Sequence, residues 1–496
     1  MTIPFKQIPQ NGRTPLFFAE IDNSRANTAV TNQRALLIGP MTTGAATANV
    51  PLLSAGTGDA NAQFGANSVL ALMTATYRQN DQFGEVWCLP LADAAGAVAA
   101  AGSIAFTSAP TANGTIALYV ADQLVSVAVT QGMTTAQIAT AVAAAINAIP
   151  TMPATAVAST NSVNLTAANK GLVGNDIDVR FNKQGATGGE VLPVGLAATI
   201  TPMSGGTTNP ALTTALGNLL DMPFDFIACA FTDTTSMDAL KSFLNDSTGR
   251  WSWQQQVFGH AFYAYRATWA NLTTFGTARN NQHETVMGFN DSPTPAWQWA
   301  SALAAVTAVS VRADPGIPMQ TVALNGISAP PLQSRFNLNQ RNTLLYDGIS
   351  TFTVADDGTV AIENLITTYQ TNAFGQPDNS YLEIETLFLL AYVLRRLRTL
   401  VASKYARVKL AADGTRFAPG SGIVTPKIIK ADQIAEYRAM EYEGYVQGSD
   451  IFAQSIIVEQ NASNPNRVDV LWPGTLINQL RIFALLAQFR LSTSQS

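Results

Sequence analysis

The sequence predicts a multidomain α/β protein with a mixed, largely parallel sheet at its core, an inserted small α+β domain, and terminal β-strand arms exchanged between copies. Three observations predict it. Strand and helix signals alternate over residues 33–91 and again over 212–311, a shift of composition separates the two stretches, and extended apolar segments lie at both chain ends. Such alternation marks parallel strands joined by crossover helices. At 496 residues the chain is too long for one core. It divides into an N-terminal arm (1–30), a discontinuous α/β core (31–95 and 208–370), the inserted domain (96–207), a C-terminal domain (371–475) and a C-terminal arm (476–496).

In chain order, Thr14-Pro15-Leu16-Phe17-Phe18-Ala19-Glu20-Ile21 is an extended apolar segment introduced by proline, ahead of any globular pattern. Ala35-Leu36-Leu37-Ile38 is a short apolar strand stopped by Gly39-Pro40, Asn67 to Arg78 a helix, and Gly84 to Leu91 the next buried strand. The rhythm resumes with helices over 212–220, 237–244, 269–279 and 295–311 and strands over 224–231, 257–265 and 285–289. Between them, Ser103 to Gly206 holds only seven charged residues and no Trp, which marks an insert. Within it, Thr115 to Val129 reads as a hairpin broken at Ala121-Asp122-Gln123, Val157 to Leu165 and Ile177 to Phe181 as strands, and Thr134 to Ile149 as a helix stopped by Pro150. Gly185 to Gly189 and Ser204 to Thr208 read as linkers.

Downstream, Asp347-Gly348, Asp357-Gly358 and Asp413-Gly414 are turn signals around short strands at 350–354 and 360–362. Ser380 and Glu383 fit a capping box ahead of a helix whose stripe is Leu382, Leu389, Leu390, Val393, Leu397 and Leu400, with Arg395, Arg396 and Arg398 off that stripe. The last apolar run ends within five residues of Ser496. Read with period two, it puts Phe483, Leu485, Ala487, Phe489 and Leu491 on one face and Leu480, Ile482, Ala484 and Leu486 on the other, so both faces call for burial. Two sticky ends point to strand exchange between subunits. Pairing of both ends within their own domain, or a helix over Leu476 to Leu491, stays open.

Charged residues are 12% of the chain and hydrophobic ones 47%, which suits surfaces that meet protein rather than water. The net charge of -5 gives no reason to expect nucleic acid or an anionic membrane as partner. No apolar run is long enough to span a bilayer, and no basic stretch followed by an apolar one suggests a signal peptide. Cys88 and Cys229 sit inside apolar strands and read as core thiols, so assembly in a reducing cytoplasm is expected. Catalytic constellations are missing. His283-Glu284 lacks the second histidine of a zinc helix, His260 reads as a partly buried strand residue, and there is no phosphate loop, dinucleotide turn or nucleophile elbow. Asp356-Asp357 and Glu441 with Glu443 read as solvated acids, and Trp251-Ser252-Trp253, Phe262-Tyr263-Ala264-Tyr265 and Trp297-Gln298-Trp299 as core or subunit-contact aromatics rather than ligand platforms. No cofactor or metal is expected. The plain reading of Arg395 to Lys409 is a solvated helix face. Nucleic acid is not its expected partner, because no stacking aromatics are interleaved.

Both chain ends resemble the tail sheath proteins of Mu-like contractile bacteriophages, part of the contractile injection system sheath family. The resemblance rests on Ile8-Pro9 to Thr28, with Pro15-Leu16-Phe17-Phe18 and Asp22-Asn23-Ser24, and on Val458-Glu459-Gln460-Asn461 to Leu491, with Asn464-Pro465-Asn466-Arg467-Val468-Asp469-Val470 and Asn478-Gln479-Leu480-Arg481. It extends more loosely through 32–90 and 212–448. The resemblance implies a non-enzymatic subunit assembled in the host bacterial cytoplasm into the virion tail, stacked as hexameric rings around a tail tube and contracting on a trigger. Its partners would be itself, the tube protein, and baseplate and tail terminator proteins. Leu16, Phe17, Phe18 and Ile21 would serve the N-terminal exchanged strand, and Leu480, Ile482, Phe483, Leu485, Leu486 and Phe489 the C-terminal one. A C-terminal-region helix faces the tube in this family, which assigns Arg395, Arg396 and Arg398 that role. A static self-assembling surface or shell protein is the second reading. An α/β hydrolase or oxidoreductase is the third.

Overall fold

The computed structural model describes residues 33–418 and 420–490. These form two compact units, one of residues 33–392, 434–455 and 473–490, and a smaller one of residues 393–418, 420–433 and 456–472.

The larger unit opens with β1 (Ala35–Pro40), β2 (Leu52–Leu53), α1 (Thr57–Phe64), α2 (Val69–Asn80) and β3 (Val86–Leu91). An excursion follows: β4 (Ala99–Ser108), β5 (Gly114–Val120), β6 (Gln123–Val129), α3 (Thr135–Asn147), β7 (Ala154–Ser159), β8 (Ser162–Lys170), β9 (Val179–Phe181) and β10 (Ala197–Ser204). The chain then returns through α4 (Thr213–Gly217), β11 (Phe226–Cys229), α5 (Thr234–Leu244), β12 (His260–Arg266), α6 (Trp269–Thr277), β13 (Glu284–Phe289) and α7 (Ala296–Ala313), and continues with α8 (Leu338–Tyr346) and the hairpin β14 (Thr351–Val354) and β15 (Val360–Asn364).

The central sheet has the order β13-β12-β11-β1-β3-β2, parallel except for β2. Every residue of β1, β11 and β13 is buried, and β1 and β11 accordingly read as unbroken apolar runs rather than alternating ones, whereas β13 opens on the buried Glu284 and Thr285. α2 starts where the Ser68 hydroxyl accepts the Ala71 N–H (3.1 Å), and α5 where Asp233 accepts that of Ser236 (3.0 Å). α7 is buried almost all round, because its small Ala and Ser residues let other elements approach closely; Ser301 Oγ donates to Met73 O of α2 at 2.6 Å. Trp299 stacks on Phe289 with ring centroids 4.7 Å apart.

Residues 99–204 build their own sheets, β10-β4-β8-β7 and β6-β5-β9, around a separate apolar cluster that includes Ile104, Phe106, Leu118, Ile138, Val142 and Leu165. α3 carries a capping box, with Thr134 and Gln137 bonded reciprocally. Two expectations fail in this stretch. Val157 to Leu165 is a hairpin rather than one strand, turning at Thr160 (φ 53°). The stretch 204–208 is no free linker, since Thr207 pairs with Val98.

The remaining elements are α9 (Ile384–Tyr405), β16 (Lys409–Leu410), β17 (Ile423–Val424), α10 (Pro426–Tyr442), β18 (Val446–Gln447), α11 (Ser449–Ser455), the hairpin β19 (Ile457–Gln460) and β20 (Val468–Leu471), and β21 (Thr475–Leu476). Ser380 and Glu383 do not cap α9 as a box. The helix starts only at Ile384, the Ser380 N–H and hydroxyl bond back to Asp378, and Glu383 faces Arg481 at 2.9 Å. Asp378, two residues upstream, is the nearer acceptor and holds Ser380 in a turn.

Candidate functional site

The C-terminal arm is rooted in the larger unit. β21 pairs antiparallel with β18, Thr475 N–H donates to Tyr437 Oη (3.0 Å), and Ile477 N–H donates to Tyr445 O (3.1 Å). Beyond Leu476 no regular element forms as far as Arg490, so this stretch is neither the strand nor the helix that its pattern allows. Leu480, Ile482, Phe483, Leu485, Leu486 and Phe489 are 69–85% exposed. Both faces of the period-two pattern therefore stand in solvent. A run this apolar is ordinarily buried, and its backbone N–H and C=O groups make an open template for another strand. Leu491 and the N-terminal Leu16, Phe17, Phe18 and Ile21 lie outside the described residues.

In the smaller unit, β19 and β20 form a two-stranded sheet by themselves, with Val458 opposite Val470 and Ile457, Val470 and Leu471 all exposed. The sequence reading did not single out this hairpin, although its signal is present as the apolar pair Ile457-Val458 and the alternating Val468 and Val470 on either side of the turn residues Asn464-Pro465-Asn466. Two-stranded sheets are marginal alone, so both edges of this one are suited to accept strands. Arg395 and Arg396 of α9 are half-buried and Arg398 is exposed.

In open α/β sheets, ligands bind outside the carboxyl ends of the strands, where the strand order reverses. Here that edge, next to β1 and β11, is occupied by the roots of the 99–204 stretch. Asn169 accepts Val69 N–H (2.9 Å) and donates to Met41 O (2.9 Å), and Asn209 donates to Asp233 (2.7 Å). Asp176, whose carboxyl is raised by burial against the opposing pull of Arg266, pairs with that arginine at 2.9 Å and accepts the Ala296 N–H at the start of α7. The cavity left there, about 380 Å³, is lined by the paired Asp176 and Arg266, the bonded Asn209 and Asp233, and Trp297. Among the described residues no cluster of His, Cys, Asp and Glu is placed to hold a metal, and no helix is long and apolar enough to cross a membrane.

The chemistry-bearing residues singled out in the sequence are structural. Cys88 and Cys229 are buried, and burial pushes both thiols up to about 12. Phe262, Tyr263, Trp297 and Trp299 are core residues; Trp251 stacks on His283 (4.7 Å), while Trp253 is exposed. Asp356 and Asp357 are exposed, and Glu441 accepts the Ser449 N–H (2.9 Å) that opens α11.

His260 is fully rather than partly buried, between Phe262 and Phe388, with Nε2 2.8 Å from Thr285 Oγ1. Burial, helped by nearby His283, pushes its imidazole down to about 3. The unfolded chain, where histidine titrates near 6.5, therefore takes up this proton first. The stability tied to neutral His260 is complete above about pH 6.5 and is lost progressively as pH falls towards 3. Urea titrations at pH 7.5, 5.5 and 4.5 are expected to show wild-type stability falling more steeply than that of His260→Gln. Parallel pH profiles would refute the assignment.

Residues 205–368 match the phage tail sheath protein central domain and residues 376–490 the phage tail sheath C-terminal domain. The chain is 38% identical over 492 residues to a Mu-like prophage FluMu tail sheath protein of Haemophilus influenzae, covering 99% of this chain and 100% of that one. Among solved structures it is similar to a sheath tail protein of Desulfitobacterium hafniense (TM-score 0.48, 12% identity, 95% of this chain and 97% of that one) and to one of Listeria innocua (TM-score 0.48, 14% identity, 90% and 92%). On the two domain matches and the end-to-end identity, the chain belongs to the phage tail sheath family, a family of structural proteins of the virion tail rather than enzymes.

Proposed function

We propose that the chain is the subunit of a contractile sheath that stacks as hexameric rings around a tail tube, linked by exchanged terminal strands, and that contraction drives the tube through the host envelope. The observation that carries this reading is the C-terminal arm, with six large apolar side chains 69–85% exposed and no strand partner for its backbone among the described residues. An arm of this kind is completed by adding to another copy's sheet, and the β19–β20 hairpin, with two unpaired edges, is the acceptor we assign. The N-terminal Leu16, Phe17, Phe18 and Ile21 would occupy a second edge of the neighbour. Main-chain hydrogen bonds in such links let rigid blocks rotate past one another while staying connected.

The remaining assignments follow from the same reading. The subunit would assemble in the host cytoplasm with a tube protein, a baseplate and a tail terminator. Residues 31–95 with 208–370 would be the sheath core, 96–207 an outer-surface insert, and 371–475 the sheath C-terminal domain. Arg395, Arg396 and Arg398 would face an acidic tube, held by a salt-sensitive attraction that contraction can break. Negative-stain electron microscopy of the purified protein, alone and mixed with its cognate tube protein at low and high salt, tests this. Striated hollow tubes or stacked rings are expected, with tube decoration weakening at high salt. Dispersed particles under all these conditions would overturn the reading.

A further inference from the structure

We infer that Arg481 is the fixed take-off point of the C-terminal arm, a positioning residue that clamps the root of the exchanging strand to its own subunit. This inference rests on the arm reading above. Among the described residues of the arm, Arg481 is the last whose side chain is turned into the subunit. Its Nη2 lies 2.6 Å from Glu385 Oε2 and 2.9 Å from Glu383 Oε2. Glu385 is wholly buried, and its other oxygen accepts the Met319 N–H at 2.7 Å. A buried carboxylate requires a cation, and Arg481 is the one its position receives. The neighbouring residues are tied down as well. Gln320 Nε2 donates to Leu480 O (3.2 Å), Gln479 Nε2 donates to Gly316 O (3.4 Å), and Ile477 N–H donates to Tyr445 O (3.1 Å). From Ile482 to Phe489 the large apolar side chains are exposed.

The chain thus changes from anchored to free at one residue. β21 is only two residues long, too short a ladder to hold a strand that bears load, and the charged clamp lies just beyond it. Tension on a captured arm would pass through Arg481 into the start of α9, where Glu385 sits in the first turn, and into the 316–320 loop. Before capture, a fixed root restricts the volume that the arm searches. That raises its effective concentration at the neighbour's sheet and lowers the entropy lost on pairing. Replacing the guanidinium should leave the arm sequence intact but let its root swing.

The test compares four forms of the whole chain: wild type, Arg481→Met, Arg481→Lys, and a chain ending at Arg481. Each is checked for fold by near-ultraviolet circular dichroism, for hydrogen exchange over 477–481, and for the concentration at half-assembly by sedimentation. Arg481→Met is expected to remain folded, to lose exchange protection over 477–481, and to need at least tenfold more protein to assemble. Arg481→Lys should recover most of that loss by supplying a point charge between the two carboxylates. Should Arg481→Met not fold, the double variant Glu385→Gln with Arg481→Met, which leaves Glu385 uncharged, makes the same comparison. If the Met form, or that double variant, assembles at the wild-type concentration while the chain ending at Arg481 does not assemble, the clamp is wrong and the arm reading stands. If the shortened chain itself assembles like wild type, the arm reading falls and the clamp with it.

Discussion

A chain ending at Arg481 is expected to fold as the wild type does and to form neither rings nor tubes at any concentration. The two halves of this result have separate physical causes. Folding survives because the deletion removes Ile482, Phe483, Leu485, Leu486 and Phe489 from solvent rather than from a core, so among the described residues no buried side chain is removed and no cavity opens. The melting temperature should move by no more than about 2 °C. Assembly fails because these side chains are the apolar surface that a neighbour's sheet would cover, each contributing about 1.5–3 kcal/mol when fully buried. Their loss cannot be offset by other contacts along a thin strand. Loss of cooperative unfolding in the shortened chain would place the arm inside its own subunit's fold and remove the exchange model. Tubes of normal appearance would do the same by showing the arm to be dispensable.

Where the sequence was readable, it was because burial leaves a one-dimensional trace. Ala35–Ile38 and Phe226–Cys229 are buried on both faces, so they appear as unbroken apolar runs, and α2 and α5 are bounded by the Ser68 and Asp233 caps that Ser and Asp announce. The family was readable from the chain ends, and the matches over 205–368 and 376–490 agree with it. The 99–204 stretch was less legible. β4 (AAAGSIAFTS) and β10 (AATITPMS) carry so many Ala, Ser and Thr residues that their inner faces barely differ from their outer ones. α10 was missed despite Pro426 at its first position and Ile429, Tyr437 and Met440 as its buried residues, a case in which the signal existed and was not used. The Ser380 box failed because two acceptors competed for one serine, and a pattern match does not rank them. The Arg481 clamp had no sequence signal at all, because its partners lie almost a hundred positions away and are brought near only by the fold.

The second large effect is expected from Glu284→Ala, which should destabilise the subunit by about 3–5 kcal/mol without touching any surface of the arm. Glu284 begins β13, the edge strand of the central sheet, and its side chain is 1% exposed. All of its acceptor capacity is used. Arg279 Nε and Nη2 donate to its two oxygens at 2.9 and 2.8 Å, Asn281 Nδ2 donates at 3.0 Å and Thr368 Oγ1 at 2.8 Å. The Thr368 N–H also donates to Glu284 O (3.0 Å), so one residue fastens the sheet edge to the segment that follows β15. Arg279 is left 8% exposed with only the half-exposed Asp238 for company when the glutamate is cut away, and this stranded cation, more than the lost bonds, sets the size of the effect. The companion double variant Arg279→Met with Glu284→Leu removes both charges together and should recover most of the loss, since a packed apolar pair needs no counter-ion. Urea unfolding of the three chains decides between the accounts: a loss below about 1 kcal/mol for Glu284→Ala would mean that water reaches the pair, while no recovery in the double variant would assign the cost to Asn281 and Thr368 instead. The histidine and glutamate at 283 and 284, adjacent in a pattern that invites a metal reading, thus belong to the frame of the sheet edge, His283 through Asp246 and Glu284 through Arg279, Asn281 and Thr368.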